Sequence, residues 1–338
     1  MADLDLTQLK ADSAQALHAL AAGAGTDQVF APDAVWEGCH PFNTLTGPAA
    51  IGAAYARLHA AFDGLTRHDD ILVAGDNLPD PRVTNPRPET LVATMGRYTG
   101  QFTQAFCGIP PTGQTAHLRA CEVHVLHGTR IVQSWVLWDL IDLMRQAGVW
   151  PLPRSLGIEN AWGPAPGGLR MAQTDGAKGA RSMEHVLRMH AALGHFDGKT
   201  LASMPHAQYW TPDFGWYGPA GIGTTKGMTA FQTNHQLPFL HAFPDRRGAG
   251  HFIRIGDGDY AVTGGWPSVT GTHLGEFLGM APTGRRIEMR VMDFYRLDGD
   301  QIADNWVPID ILYMAHQMGV DLLARVQHYA GSPRREVY

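Results

Sequence analysis

Two carboxylates stand out by the company they keep. Asp139 sits among Trp135, Leu137, Trp138 and Leu140, and Asp310 follows Trp306 by four residues. A charge in apolar surroundings needs a partner, water or a shifted pKa. A carboxylate whose pKa is lifted by apolar walls is a useful base near pH 7 and can move a proton without a cofactor. Each also precedes a helical pattern, so each could instead cap a helix.

The two are counterparts. Arg119/Arg290, Trp135/Trp306, Asp139/Asp310 and Gly148/Gly319 are identical pairs at a constant separation of 171, and Glu122 aligns with Asp293. From Thr99 to Val149, 17 of 51 positions match their counterparts without a gap, where unrelated sequences would give roughly three. Upstream the separation is 180, pairing Trp36 with Trp216 and Gly47 with Gly227. The chain is therefore read as a duplicated domain, each copy with its own core. The expected parts are residues 1–150, a Pro/Gly-rich linker over 151–182, and residues 183–330.

The second group of candidates differs between the copies. Arg119 and Glu122, like Arg290 and Asp293, are three apart on predicted strands, so strict alternation sends them to opposite faces. Glu122 or Asp293 then either points inward, to support a histidine or a substrate hydroxyl, or is a charge on an outer or dimer face. His40 has Ala220 as its counterpart, whereas the second copy concentrates His235, His241, His251 and His273. With Trp216, Tyr217, Trp266 and Tyr295 this makes the second copy the better candidate for the main site. The catalytic set is Asp310, Asp139, Asp293, His235, His273 and His40. The substrate-contacting set is Trp216, Tyr217, Trp266, Arg290, Tyr295, Trp306, Trp36, Glu122 and Trp135.

The elements that must position these residues follow from periodicity. Residues 6–22 and 47–62 read as helices, the latter with Ile51, Tyr55, Leu58 and Phe62 in one stripe. Strands follow at 67–75 and from Thr90 onward, where Gly96 and Gly100 mark bends or bulges. Residues 78–89 read as an exposed proline-rich loop. In the second copy, 183–196 is a helix, Pro238 cuts a second helix short, and GDGD turns a hairpin over 251–277. The tail SPRREVY reads as frayed. Helices first and then a curved antiparallel sheet make an α+β domain. Each sheet has a second apolar face to cover, so the copies are expected to pack as an intramolecular pseudo-dimer, with further homo-oligomerisation open.

Other classes are disfavoured. A net charge of −6 without a basic stripe argues against nucleic acid. Three cysteines, all in the first copy and without a CxxC, argue for a reduced compartment. The acidic N-terminus lacks a signal-peptide core and no run is long enough to span a membrane, so the expected location is the cytoplasm. No HExxH or Cys/His cluster indicates a metal, and GIG at 221–223 lacks the strand and helix of a nucleotide fingerprint.

The ending Gly128, Ile131, Trp135, Asp139, Gln146, Gly148, and again Gly299, Ile302, Trp306, Asp310, Gln317, Gly319, resembles the SnoaL-like polyketide cyclases of the nuclear-transport-factor-2-like superfamily. The resemblance covers about four-fifths of the chain. It implies two tandem cone-shaped domains, each a curved antiparallel sheet wrapped around N-terminal helices. It also implies cofactor-independent acid/base chemistry on a small to medium apolar carbonyl or hydroxyl compound, by cyclisation, isomerisation, dehydration or hydrolysis. In those cyclases the Asp matching Asp139 and Asp310 removes a proton beside a carbonyl. The same cones could instead bind a small molecule without catalysis.

Overall fold

The computed structural model describes residues 5–83, 89–159 and 162–331. In the first copy, α1 (Leu6–Ala21) starts at Asp5, whose carboxylate accepts the Thr7 N–H at 2.9 Å. After the short α2 (Thr26–Val29) come β1 (Phe30–Gly38), β2 (Thr44–Thr46) and α3 (Gly47–Ala61). Ile51, Tyr55 and Leu58 form the buried stripe of α3. Then β3 (Phe62–Asp76), β4 (Thr90–Phe102), β5 (Thr115–His127) and β6 (Arg130–Trp138) run into α4 (Leu140–Gln146). The sheet order is β2-β1-β6-β5-β4-β3, antiparallel except where β1 runs parallel to β6. The bulges lie in β3, opposite Gly96 and Gly100. A Cβ on Gly96 would stand 2.1 Å from the His68 carbonyl, so only glycine lets the bulge close there.

The second copy repeats this plan with α5 (Gly176–Leu193), β7 (Trp210–Tyr217), β8 (Thr224–Lys226), α6 (Gly227–Phe231), α7 (Leu237–Ala242), β9 (Arg247–Gly248), β10 (Ile253–Asp257), β11 (Tyr260–Thr272), β12 (Arg286–Asp298), β13 (Gln301–Trp306), α8 (Ile311–Met318) and α9 (Leu322–Gly331). Its sheet order is β10-β11-β12-β13-β7-β8, with β9 also on β11. The architecture is α+β, two open, mostly antiparallel sheets flanked by helices.

Three local expectations are corrected. α5 begins at Gly176 rather than 183, because Asp175 caps it through the Ala177 N–H at 2.9 Å. Pro238 does not stop its helix. A π-helical turn over Gln232–Gln236 widens the coil just before it, and Pro238 then sits in the first turn of α7, where no N–H is needed. Of the loop 78–89, the described part docks on the second copy instead of standing free. Leu78 N–H donates to the Arg254 carbonyl at 2.9 Å, and the buried Asp80 accepts the His251 N–H at 2.9 Å. Residues 84–88 and the tail 332–338 lie outside the described residues.

The halves meet through reciprocal contacts. Asp139 accepts the Ala220 N–H at 3.0 Å, and Asp310 accepts the His40 N–H at 2.9 Å. Since the carboxylates are 171 apart and the two donors 180 apart, each contact is the counterpart of the other. Trp135 packs on Phe252 at 4.8 Å, and fully buried Lys10 pairs with Asp257 at 2.6 Å. Buried side chains of both halves form one contiguous cluster, so the cores are joined at the junction. The segment after Val149 seals that junction. Trp162 bonds the Gly218 carbonyl at 2.9 Å and lies under the Arg119 guanidinium at 4.5 Å.

Candidate active site

The inside of the first copy is filled. Trp36, Phe42, Tyr55, Tyr98 and Phe106 surround Trp138 at ring distances of 5.4 to 6.2 Å. Beneath them lies Glu122, fully buried, accepting from Arg67 at 2.8 Å, Tyr98 at 3.1 Å and Trp138 at 3.3 Å. Burial alone would raise its pKa, but the Arg67 charge and the surrounding donors hold it down at about 2. Glu122 is a locked anion.

The second copy holds a cavity of about 450 Å³ in the same place. Four replacements open it. The counterparts of Trp138, Tyr98 and Tyr55 are Ile309, Val269 and His235. Gly248 pairs with Val269 as Arg67 pairs with Tyr98, so a glycine stands where the buried arginine was. All four smaller residues line the cavity. Its volume is within the range of small-molecule sites.

At its wall is Asp293, the counterpart of Glu122. No ion pair holds this carboxylate among the described residues. It is surrounded by protein yet keeps some exposure, which opens into the cavity. Desolvation raises its pKa to about 7, against hydrogen bonds from Asn305 and Tyr295 that lower it. Residues of β12 alternate, so Asp293 and Tyr295 share the inner face. The Tyr295 hydroxyl lies 2.8 Å from His190 Nε2. Burial and the neighbouring His251 keep His190 well below its usual pKa, hence neutral, and its Nδ1 has no hydrogen-bond partner. Asp293, Tyr295 and His190 thus form a chain of proton-handling groups, with Asn305 beside them, in a chamber lined mostly by apolar side chains. The chain can accept a proton at the carboxylate and supply one from the phenol.

Of the other sequence candidates, Trp216 and His235 line the cavity, stacked at 4.0 Å. Burial lowers His235 to about 3. The remainder lie elsewhere. Asp139 and Asp310 both cap helices, accepting the Asp142 and Tyr313 N–H groups at 3.0 Å. Their second oxygens hold the opposite half and the arginines, Arg119 at 2.5 Å and Arg290 at 3.4 Å. Asp310 comes after β13 has ended, so it does not share the inner face of that strand. Asn305 faces the cavity, so Trp306 faces away and stacks on Tyr217 at 5.2 Å. Arg290 likewise points away, over Tyr313 at 3.6 Å and towards Trp266 at 5.6 Å. His40 stacks on His316 at 4.6 Å, and His273 lies beside Phe243 at 5.6 Å. Trp36 and Glu122 belong to the filled interior of the first copy, and Trp135 to the junction.

Sequence reasoning missed His190 and Asn305. His190 extends the buried Met183–Val186–Met189 face of α5, a periodicity that was available. Asn305 stands beside Trp306 at the end of β13 and gave no signal of its own. A second cavity of about 230 Å³ adjoins the first through Ile222, His235 and Phe277, and Pro153, Arg154 and Leu156 of the linker wall it. Trp150 and Trp162 line neither cavity. No described cluster of His, Cys, Asp or Glu could hold a metal, and no described helix is long and apolar enough to cross a membrane.

The model of the SnoaL-like polyketide cyclase family matches residues 87–147 and 196–318. No curated protein matches. Solved structures similar to this chain include AclR from Streptomyces galilaeus, 23% identical, covering 42% of this chain and 86% of that one, with a TM-score of 0.31. IdmH from Streptomyces antibioticus is 23% identical and covers 41% of this chain and 99% of its own, with a TM-score of 0.33. TsrD from Streptomyces laurentii is 20% identical, covering 41% and 96% respectively at a TM-score of 0.32.

Proposed function

The chain belongs to the SnoaL-like polyketide cyclase family, and from that premise we propose that its second copy is the catalytic one, with Asp293 as the base. Membership supports a cofactor-independent cyclase- or isomerase-type reaction on a small molecule. The observation that carries the finer reading is a carboxylate without a counter-ion, facing an apolar cavity, with a pKa of about 7. Such a group is substantially ionised at neutral pH and still basic enough to take a proton from carbon beside a carbonyl. The substrate is then an apolar ketone of small to medium size. As Asp293 takes the α-proton it becomes a donor itself. The Tyr295 hydroxyl is thereby released to donate to the enolate oxygen, with His190 on its other side supporting the phenol. The enolate then attacks a second carbonyl or is reprotonated elsewhere, giving cyclisation or isomerisation. The first copy acts as a structural partner, and the reciprocal Asp139 and Asp310 contacts support reading the chain as its own dimer.

The test needs no knowledge of the natural substrate. Apolar ketones selected by thermal shift are incubated with the protein in deuterated buffer, and α-carbon exchange is followed by NMR. Asp293→Asn should slow exchange by ~10²–10⁴-fold while ketone binding persists. Undiminished exchange in that variant would return the role of base to Asp310 or Asp139.

A further inference from the structure

We propose that Arg246 and Arg82 form an anion subsite on the cavity of the second copy, so that the ketone it takes carries a carboxylate. This rests on the reading of that cavity as the active site and adds the chemistry of the far end of the ligand. Both arginines line the cavity. Arg246 is half-buried, its guanidinium over Phe196 at 5.0 Å and Phe239 at 5.9 Å. It makes no ion pair among the described residues. Its neighbour Asp245 is engaged elsewhere, accepting the Thr272 N–H and hydroxyl at 2.7 Å and lying 3.7 Å from Arg286. A desolvated guanidinium without a counter-ion is costly, and two aromatic faces offset only part of that cost. The missing partner is an anion.

Arg82, half exposed and from the first copy, supplies one further donor. Its Nε and Nη2 donate to Asp80 at 3.0 and 2.6 Å. Its Nη1 remains, 3.0 Å from where a Cβ on Gly248 would stand. The loop is held in place because the same Asp80 accepts the His251 N–H at 2.9 Å. One carboxylate, Asp80, faces Arg82 and also Arg254 at 3.8 Å, so the neighbourhood is cationic on a chain whose net charge is −6. The planar guanidinium suits a carboxylate, which it can bind through two parallel hydrogen bonds. The glycine at 248 thus does two things. It omits the arginine that would neutralise Asp293, and it leaves room for Arg82 to approach.

Isothermal titration of the full chain with 4-oxo-4-phenylbutanoate and with its methyl ester separates the two claims. The free acid should bind about tenfold or more tightly than the ester, as expected for charge-assisted hydrogen bonds, and should weaken as salt is raised. Arg246→Met, which keeps contact with the two phenylalanines, should remove the preference and leave ester affinity unchanged. Arg82→Ala should reduce it, and Arg246→Lys should retain part of it. Equal binding of acid and ester to the wild type, or a preference that survives in the Arg246→Met/Arg82→Ala double variant, overturns the subsite and leaves the ketone site standing. Failure of both ligands to bind overturns both. Should a variant unfold, the salt dependence and acid/ester ratio of the wild type still decide.

Discussion

Glu122 and Asp293 occupy the same place in two copies of one domain and have opposite fates. Glu122 is clamped by Arg67 and roofed by Trp138, with a pKa of about 2. Asp293 has a glycine and an isoleucine in those places, an open chamber, and a pKa of about 7. The fold delivers an inward-facing carboxylate to this point of the strand in both cases. Its chemistry is decided by what the adjoining strands bring. An arginine makes it a structural anion, and without one its pKa rises to about 7, as the proposed base requires. Duplication lets one copy keep the stable arrangement while the other holds an uncompensated charge.

The largest effect expected from breaking this contrast is in the first copy. Arg67 donates to Asp69, Tyr98, Glu122 and Thr94, each at 2.7 to 2.8 Å. Arg67→Met should cost roughly 3–5 kcal/mol, because removing one partner strands a buried charge. Adding Glu122→Gln should recover much of the loss. Urea denaturation of the single and double variants measures both. A single-variant cost below about 1 kcal/mol would mean that Glu122 is not held by this arginine. Proton exchange by the folded fraction should be unchanged, since the proposed site lies in the other copy.

The next prediction uses the sign of the two shifts. Glu122 has a depressed pKa, so it contributes stability above its ordinary pKa and loses it as pH falls towards about 2. Asp293 has a raised pKa. The folded state holds its proton more tightly than the unfolded state does, so its contribution turns against folding as pH rises from about 4 to about 7. The melting temperature of Asp293→Asn, relative to wild type, should therefore climb over that interval and then level off. That of Glu122→Gln should be depressed at pH 7, and the deficit should shrink in acid. Parallel trends in the two variants would erase the distinction between the copies.

Much of this was legible in the sequence, and the limits have physical causes. The constant spacing of 171 gave the duplication, and alternation put Asp293 and Arg290 on opposite faces. The concentration of histidines pointed to the second copy, and Trp216, His235, Asp293 and Tyr295 meet there. What could not be read was the emptiness of the chamber. It depends on Gly248 standing where Arg67 stands, and these lie on strands of very different length at a separation that fits neither offset. Asp139 and Asp310 could be read two ways, because conspicuous apolar neighbours also describe a buried helix cap. Their cross-junction donors are backbone N–H groups, which carry no side-chain signature.

The smallest predicted effect concerns those two residues, whose hydrogen-bonding pattern the copies share, although burial raises the Asp310 carboxyl to about 6. In each, one carboxylate oxygen caps a helix and the other accepts an N–H from the opposite half, His40 for Asp310 and Ala220 for Asp139. Asparagine is itself a good cap, so the substituted side chain will keep its oxygen on the helix. Its amide nitrogen then faces a backbone N–H, donor against donor, and the charge attraction to Arg290 or Arg119 is lost. Each Asn variant should therefore lose about 1–3 kcal/mol of stability, the cost of a buried donor left unsatisfied. Each should exchange α-protons within about twofold of wild type. Because the two carboxylates share no hydrogen-bond partner, the double variant should show additive losses. A fall of a hundredfold or more in exchange for Asp310→Asn, with stability intact, would transfer the base from Asp293 to Asp310.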